Sequence, residues 1–168
     1  MLDHRAQTQH LIKRVRKPKL VFEFFFVFSR FGHALLHCGY FQKNREDASP
    51  DWDRFAKEHD GAFSPDSSEQ LQEAVQYYEN FPPKKQVIEN DQLTVQDSIP
   101  QNQERLVRLV ILLRRARNNL FHGEKFRGLL EGLDPQRDIK LLEYGLTILY
   151  ACFALTPCVR DRFYSELV

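Results

Sequence analysis

Arg117 and His122 stand five positions apart in the stretch Arg117-Asn118-Asn119-Leu120-Phe121-His122-Gly123. Arginine is a permanent cation that grips a phosphate through two parallel hydrogen bonds. Histidine moves a proton near neutral pH. Metal-free cleavage of RNA needs both kinds of group. A base must take the 2′-hydroxyl proton, an acid must protonate the 5′-leaving oxygen, and charge at phosphorus must be stabilised. Asn118 is placed to orient His122 or to bind a phosphate oxygen. Arg114, Arg115, Lys125 and Arg127 flank the pair as candidate contacts for an RNA backbone. A second reading of the same residues is structural: an arginine ion pair and a histidine closing a helix.

The element that must position this pair is a helix expected over Gln103 to Phe121, with Gly123 as a left-handed cap. Leu106, Leu109, Val110, Leu113, Arg117 and Leu120 recur at steps of three and four, so Arg117 shares a stripe with apolar residues. A guanidinium there is costly unless a carboxylate, a carbonyl or a substrate phosphate meets it. Five helical steps rotate a side chain by about 140°. Arg117 and His122 therefore converge only if the helix ends between them or if two copies meet across a twofold axis. Partial negative charge at a helix C-terminus favours the imidazolium form of His122.

Other elements follow from pattern. Residues 1–18 form a polar, basic arm in which Lys13, Arg14, Arg16 and Lys17, with Lys19 just beyond, make a cluster. It reads as solvated or as an RNA-backbone contact. Leu20 to Cys38 reads as a helix with two apolar stripes: Phe22, Phe25, Phe26, Ser29, His33 and Leu36, then Phe24, Phe28, Phe31 and Leu35. Such a helix belongs in the centre of a bundle, or between its own domain and a second subunit. Gly39 is its expected cap. Ser49-Pro50 predicts a helix start before Trp52, ended by Gly61. Another helix starts near Ser64-Pro65 or Ser67 and stops at Phe81-Pro82-Pro83. Gln86 to Val95, turning at Asn90-Asp91, predicts a small hairpin inside a flap over 84–100. Asp134-Pro135 opens a last long helix that buries Leu141, Leu142, Gly145, Ile148, Leu149, Cys152 and Phe153 and ends at Pro157. Residues 157–168 read as a tail. The expected fold is all-α, a bundle of about four to six helices with a hairpin-like insertion.

Composition bounds the function classes. A chain of 168 residues suits one domain, able to bury about 70% of its unfolded surface. Its 24 basic and 23 acidic residues point to no partner by net charge. Cys38, Cys152 and Cys158 are odd in number and form no Cys-x-x-Cys pair, which speaks against a disulfide framework, against a zinc site and for a reducing cytoplasm. Leu20 to Phe28 is too short to span a bilayer, and the first residues do not read as a signal peptide. No cofactor and no membrane partner is expected. His33 and His37 lie four apart and read as core or interface residues rather than metal ligands. His4, His10 and His59 read as solvated. Asp51, Asp53, Glu58 and Asp60 read as surface charge. Tyr77 and Tyr78 read as packing rather than base-stacking groups.

Arg117 to His122 matches the Arg-x4–6-His pattern of HEPN domains, with a polar residue directly after the arginine, an apolar helix before it and Gly123 after. Phe28-Ser29-Arg30-Phe31 through Leu36-His37-Cys38-Gly39-Tyr40 resembles the first helix of bacterial HEPN-like proteins, and the resemblance spans residues 20–156. It implies a HEPN-like helical domain over 19–156 that dimerises with its motifs facing each other. It implies Arg117 and His122 as catalytic residues with Asn118 in support. It implies a metal-independent endoribonuclease of toxin–antitoxin or other defence systems, with RNA as substrate and an antitoxin or another defence protein as partner. Some relatives bind nucleotides or proteins without catalysis. A subgroup has tyrosine two residues after the histidine, where a nucleotidyltransferase modifies it. Glu124 stands there in this chain.

Overall fold

The computed structural model describes residues 3–44, 46–121 and 135–165. His122, Gly123, Glu124, Lys125, Arg127 and Asp134 lie outside the described residues. The chain is mostly helical, with one two-stranded antiparallel sheet. In chain order the helices are α1 (His4–Lys13), α2 (Pro18–His37), α3 (Trp52–His59), α4 (Glu69–Asn80), α5 (Arg105–Phe121), α6 (Pro135–Phe153) and α7 (Pro157–Tyr164). The strands are β1 (Lys85–Glu89) and β2 (Gln92–Gln96), between α4 and α5.

Seven α-helices among the described residues exceed the four to six expected, and the surplus lies at the two ends. The basic arm is helical as α1, capped by the Asp3 carboxylate, yet it buries no residue. It has no apolar stripe for a periodicity argument to find. The expected tail is helical as α7. Pro157 begins it rather than merely ending α6, which stops at Phe153. Val159 and Phe163 anchor α7 in the core.

α2 divides its two stripes as a helix between two environments should. Phe24, Phe28, Phe31 and Leu35 are buried, while Phe22, Phe25 and Phe26 stand exposed. Phe31 meets Trp52, Phe55 and Phe153 edge-on at 4.9, 5.3 and 4.7 Å between ring centres, joining α2 to α3 and α6. Each such pair adds about 0.5–1.5 kcal/mol beyond its buried area. Gly39, at φ +83°, closes α2: its N–H reaches the Leu36 carbonyl, and Tyr40 N–H reaches Leu35. This left-handed cap is the one expected. By length and composition, α2 can cross a bilayer, because its apolar pattern continues past Glu23 through Leu36. Within its most apolar window, 44% is buried inside the bundle.

α4 packs on α6, and α3 packs on α5. Gly145 of α6 permits a close approach. A Cβ there would overlap the Tyr78 hydroxyl and lie 2.8 Å from the Phe24 ring. Tyr78 is fully buried and donates to the Leu141 carbonyl at 2.7 Å, so it is a packing residue. Burial also pushes its phenol pKa upward.

Several caps differ from the expected ones. Asp51, not Ser49, caps α3, accepting from Arg54 N–H at 3.0 Å. Pro50 instead pairs with Phe41 in an isolated bridge. After His59 the chain makes a 3-10 turn through Gly61 rather than stopping there. Ser68 caps α4, accepting from Leu71 N–H at 3.1 Å. Asp60 is not idle surface charge: its carboxylate accepts from Leu106 N–H at 2.7 Å, capping α5. His59 is half-buried and lies 3.0 Å from the Tyr40 hydroxyl, so it is not simply solvated.

The hairpin forms as expected. Asn90 and Asp91 both take positive φ, 51° and 58°, between partners Glu89 and Gln92. Two left-handed residues in a row suit a two-residue turn.

The cysteine expectation is overturned. Cys38 and Cys158 form a disulfide, and buried Cys152 is the free thiol. The partners are 120 residues apart in sequence, so no local spacing announces them.

Candidate functional site

Arg117 is half-buried on α5, one turn from the helix's described end, among the leucines that share its stripe. Its guanidinium carbon sits 5.3 Å from the Phe28 ring centre, within the range of a cation–π contact. Burial, and then the neighbouring Arg114 charge, lower its pKa.

Arg117 opens into a cleft of about 430 Å³ between α2, α5 and the start of α3. α2 contributes Phe25, Phe28, Ser29, Gly32, His33 and Leu36. The 42–52 segment contributes Gln42, Ser49, Pro50 and Trp52, and α5 contributes Arg114 and Arg117. Gly32 brings the α2 backbone close to this wall, since a Cβ there would lie 3.4 Å from Pro50 and 3.7 Å from Trp52. Phe25, Phe28 and Trp52 thus line one cleft together with two guanidiniums.

The structure separates the expected site residues. Arg114 lines the cleft with Arg117 and pairs with Asp53 at 3.1 Å. Both partners of that pair are partly exposed, so it is weakly held and open to exchange for a phosphate. Arg115 turns away from the cleft and donates to the Ser98 carbonyl at 2.5 Å, beneath the hairpin. Asn118 is exposed and does not line the cleft. Asn119 is buried and donates to the Lys84 carbonyl at 3.0 Å, which pins the first strand's entry to α5. The two asparagines thus divide, one solvent-facing and one structural. His122 and Lys125 lie outside the described residues.

His33, which the sequence pattern placed with His37 as a core or interface residue, is not in the core: both histidines are exposed. The His33 ring stands 4.4 Å from that of His37, and it also lines the cleft. Partial burial, then the charges of His37, Arg30 and Arg162, lower its pKa. Its membership of the Phe22, Phe25, Phe26, Ser29 stripe was the available signal. Among the described residues, no group of three or more His, Cys, Asp or Glu side chains is placed to hold a metal ion.

Compared with protein-family models, with curated proteins and with solved structures, the chain matches none.

Proposed function

We propose that this chain is a metal-independent endoribonuclease of HEPN type, working as a homodimer in a toxin or anti-phage defence role. The observation that carries the reading is Arg117, half-buried at a cleft that Arg114 also lines, with its guanidinium 5.3 Å from the Phe28 ring centre. Two guanidiniums, one of them in a partly exposed pair with Asp53, beside aromatic rings in one cleft suit a phosphate that carries a base. In the proposed reaction, the 2′-oxygen attacks phosphorus and the bond to the 5′-oxygen breaks. Arg117 stabilises the phosphorane charge. His122, contributed by one or both subunits, moves the proton from the 2′-hydroxyl to the leaving oxygen. The exposed phenylalanines of α2, Phe22, Phe25 and Phe26, supply the apolar surface for the second subunit. An antitoxin or another defence protein is the proposed regulator, and no membrane is required.

RNA digestion in excess chelator tests this. Cleavage that persists in chelator and vanishes in both Arg117→Ala and His122→Ala is the expected result. Equal cleavage by the wild type and the two variants would sink the proposal.

The same α2 surface also favours a second reading, a non-catalytic HEPN module that dimerises and binds a nucleotide or a protein. It predicts stable dimers and saturable nucleotide binding with no turnover.

A further inference from the structure

The last helix is fastened to α2 at both of its ends. Cys158 lies at the start of α7 and is bonded to Cys38, the residue that ends α2, with the Cα atoms 6.0 Å apart. At the far end, the Arg30 guanidinium of α2 donates to three backbone carbonyls, Arg162 at 3.1 Å, Phe163 at 2.6 Å and Ser165 at 2.8 Å. The last carbonyls of a helix have no partner within it, so this cation completes α7.

Between those fastenings α7 is slight. It has eight residues and buries only Val159 and Phe163. A helix of that length is not stable by itself, and its order depends on what it is tied to. α7 packs mainly on α2, while the contacts of α4 with α6 and of α3 with α5 do not involve it. The two sulfur-bearing residues also differ in access: Cys158 is exposed and Cys38 is half-buried.

We propose that Cys38–Cys158 is a thiol–disulfide exchange site, and that its reduction by a dithiol loosens α7 locally while the rest of the bundle stays folded. The chemistry balances as follows. A thiolate of the reductant attacks Sγ of the exposed Cys158, and Cys38 leaves as a thiolate and takes a proton from water. The second thiol of the reductant then attacks the mixed disulfide. Cys158 is released as a thiol, and the reductant ends as its own disulfide. Two electrons pass to the protein sulfurs.

Arg162 of α7 acts on His33 together with Arg30 and His37 of α2, and His33 lines the cleft. Loosening α7 takes Arg162 away from that group. Any effect on RNA cleavage rests on the reading of the cleft given above, whereas the loosening of α7 does not.

Hydrogen exchange on the full chain, before and after dithiothreitol, tests the proposal, with thiols counted by alkylation in denaturant. The expected result is one thiol before reduction, from Cys152, and three after it. Amides of residues 157–165 then exchange at least tenfold faster, and those of α4, α5 and α6 keep their protection. A Cys38→Ser, Cys158→Ser double variant shows the reduced pattern without dithiothreitol and does not respond to it. Three thiols in the air-oxidised protein would overturn the proposal, as would unchanged exchange in α7. Loss of protection throughout the bundle, in the reduced protein or in the variant, would also overturn it, because the bond would then staple the whole fold.

Discussion

The two ends of α5 carry the same residue type in opposite circumstances. At the N-terminal end, Arg105 meets Glu79 through two hydrogen bonds of 2.9 Å, and Arg108 joins the same carboxylate at 3.4 Å. The hydrogen bonds that Arg105 donates to Glu79 raise the Arg105 pKa, so the charge there is favoured. At the C-terminal end, burial and Arg114 lower the Arg117 pKa, so the charge there is resisted. One helix thus holds a cation bound to a carboxylate at one end and a half-buried cation beside an aromatic ring at the other.

The largest expected difference is in turnover. Arg117→Ala should lower RNA cleavage on the order of 10²–10³-fold, the usual loss when one group stabilising transition-state charge is removed. Arg105→Ala should leave the rate within about twofold. Single-turnover kinetics on both proteins would show it, and equal losses would erase the contrast. Inorganic phosphate offers the next test. It should raise the melting temperature of the wild type, by an amount equivalent to about 2.7 kcal/mol at a hundredfold excess over Kd. In Arg114→Ala, Arg117→Ala that response should disappear. A smaller effect belongs to the other end. Glu79→Gln should cost about 0.5–1 kcal/mol in a denaturant titration, because the pairs it breaks are partly exposed, and should leave cleavage unchanged.

The smallest effect is one of pH. Partial burial and the charges of His37, Arg30 and Arg162 hold His33 below the ordinary histidine value of 6.5 when folded. The unfolded chain takes up that proton first. Stability should therefore fall slightly as pH drops below 6.5 and level off below the folded value. His33→Gln should flatten that part of the stability profile. An unchanged slope in the variant would assign the effect elsewhere.

Legibility followed the range of the interaction. The hairpin was readable because Asn90-Asp91 states its own turn, and α2 because Gly39 and the two stripes lie within one segment. The division of α2 into a buried and an exposed face was readable only as an alternative, since residues on both stripes are phenylalanines. The caps of α3 and α4 were misplaced by one or two positions, where Ser and Asp compete for the same role. What the sequence did not reveal is long-range. Asp60 capping α5, Asn119 holding Lys84, Arg30 closing α7 and Cys38 meeting Cys158 all join residues distant in the chain. The candidate site shows the same limit. Arg117 was visible from its place on an apolar stripe, but the cleft that gives it a role is built by α2 and α3, and His33 enters it from there.

The bond between Cys38 and Cys158 also closes most of the molecule into a covalent ring that contains α3 to α6 and the hairpin. A protease entering at the exposed turn between Asn90 and Asp91 would open that ring without dividing it. The cut chain would migrate as a single species on a gel without reductant and as two with it. A nicked molecule would keep both halves in one piece, and its survival would depend on the thiol chemistry around it.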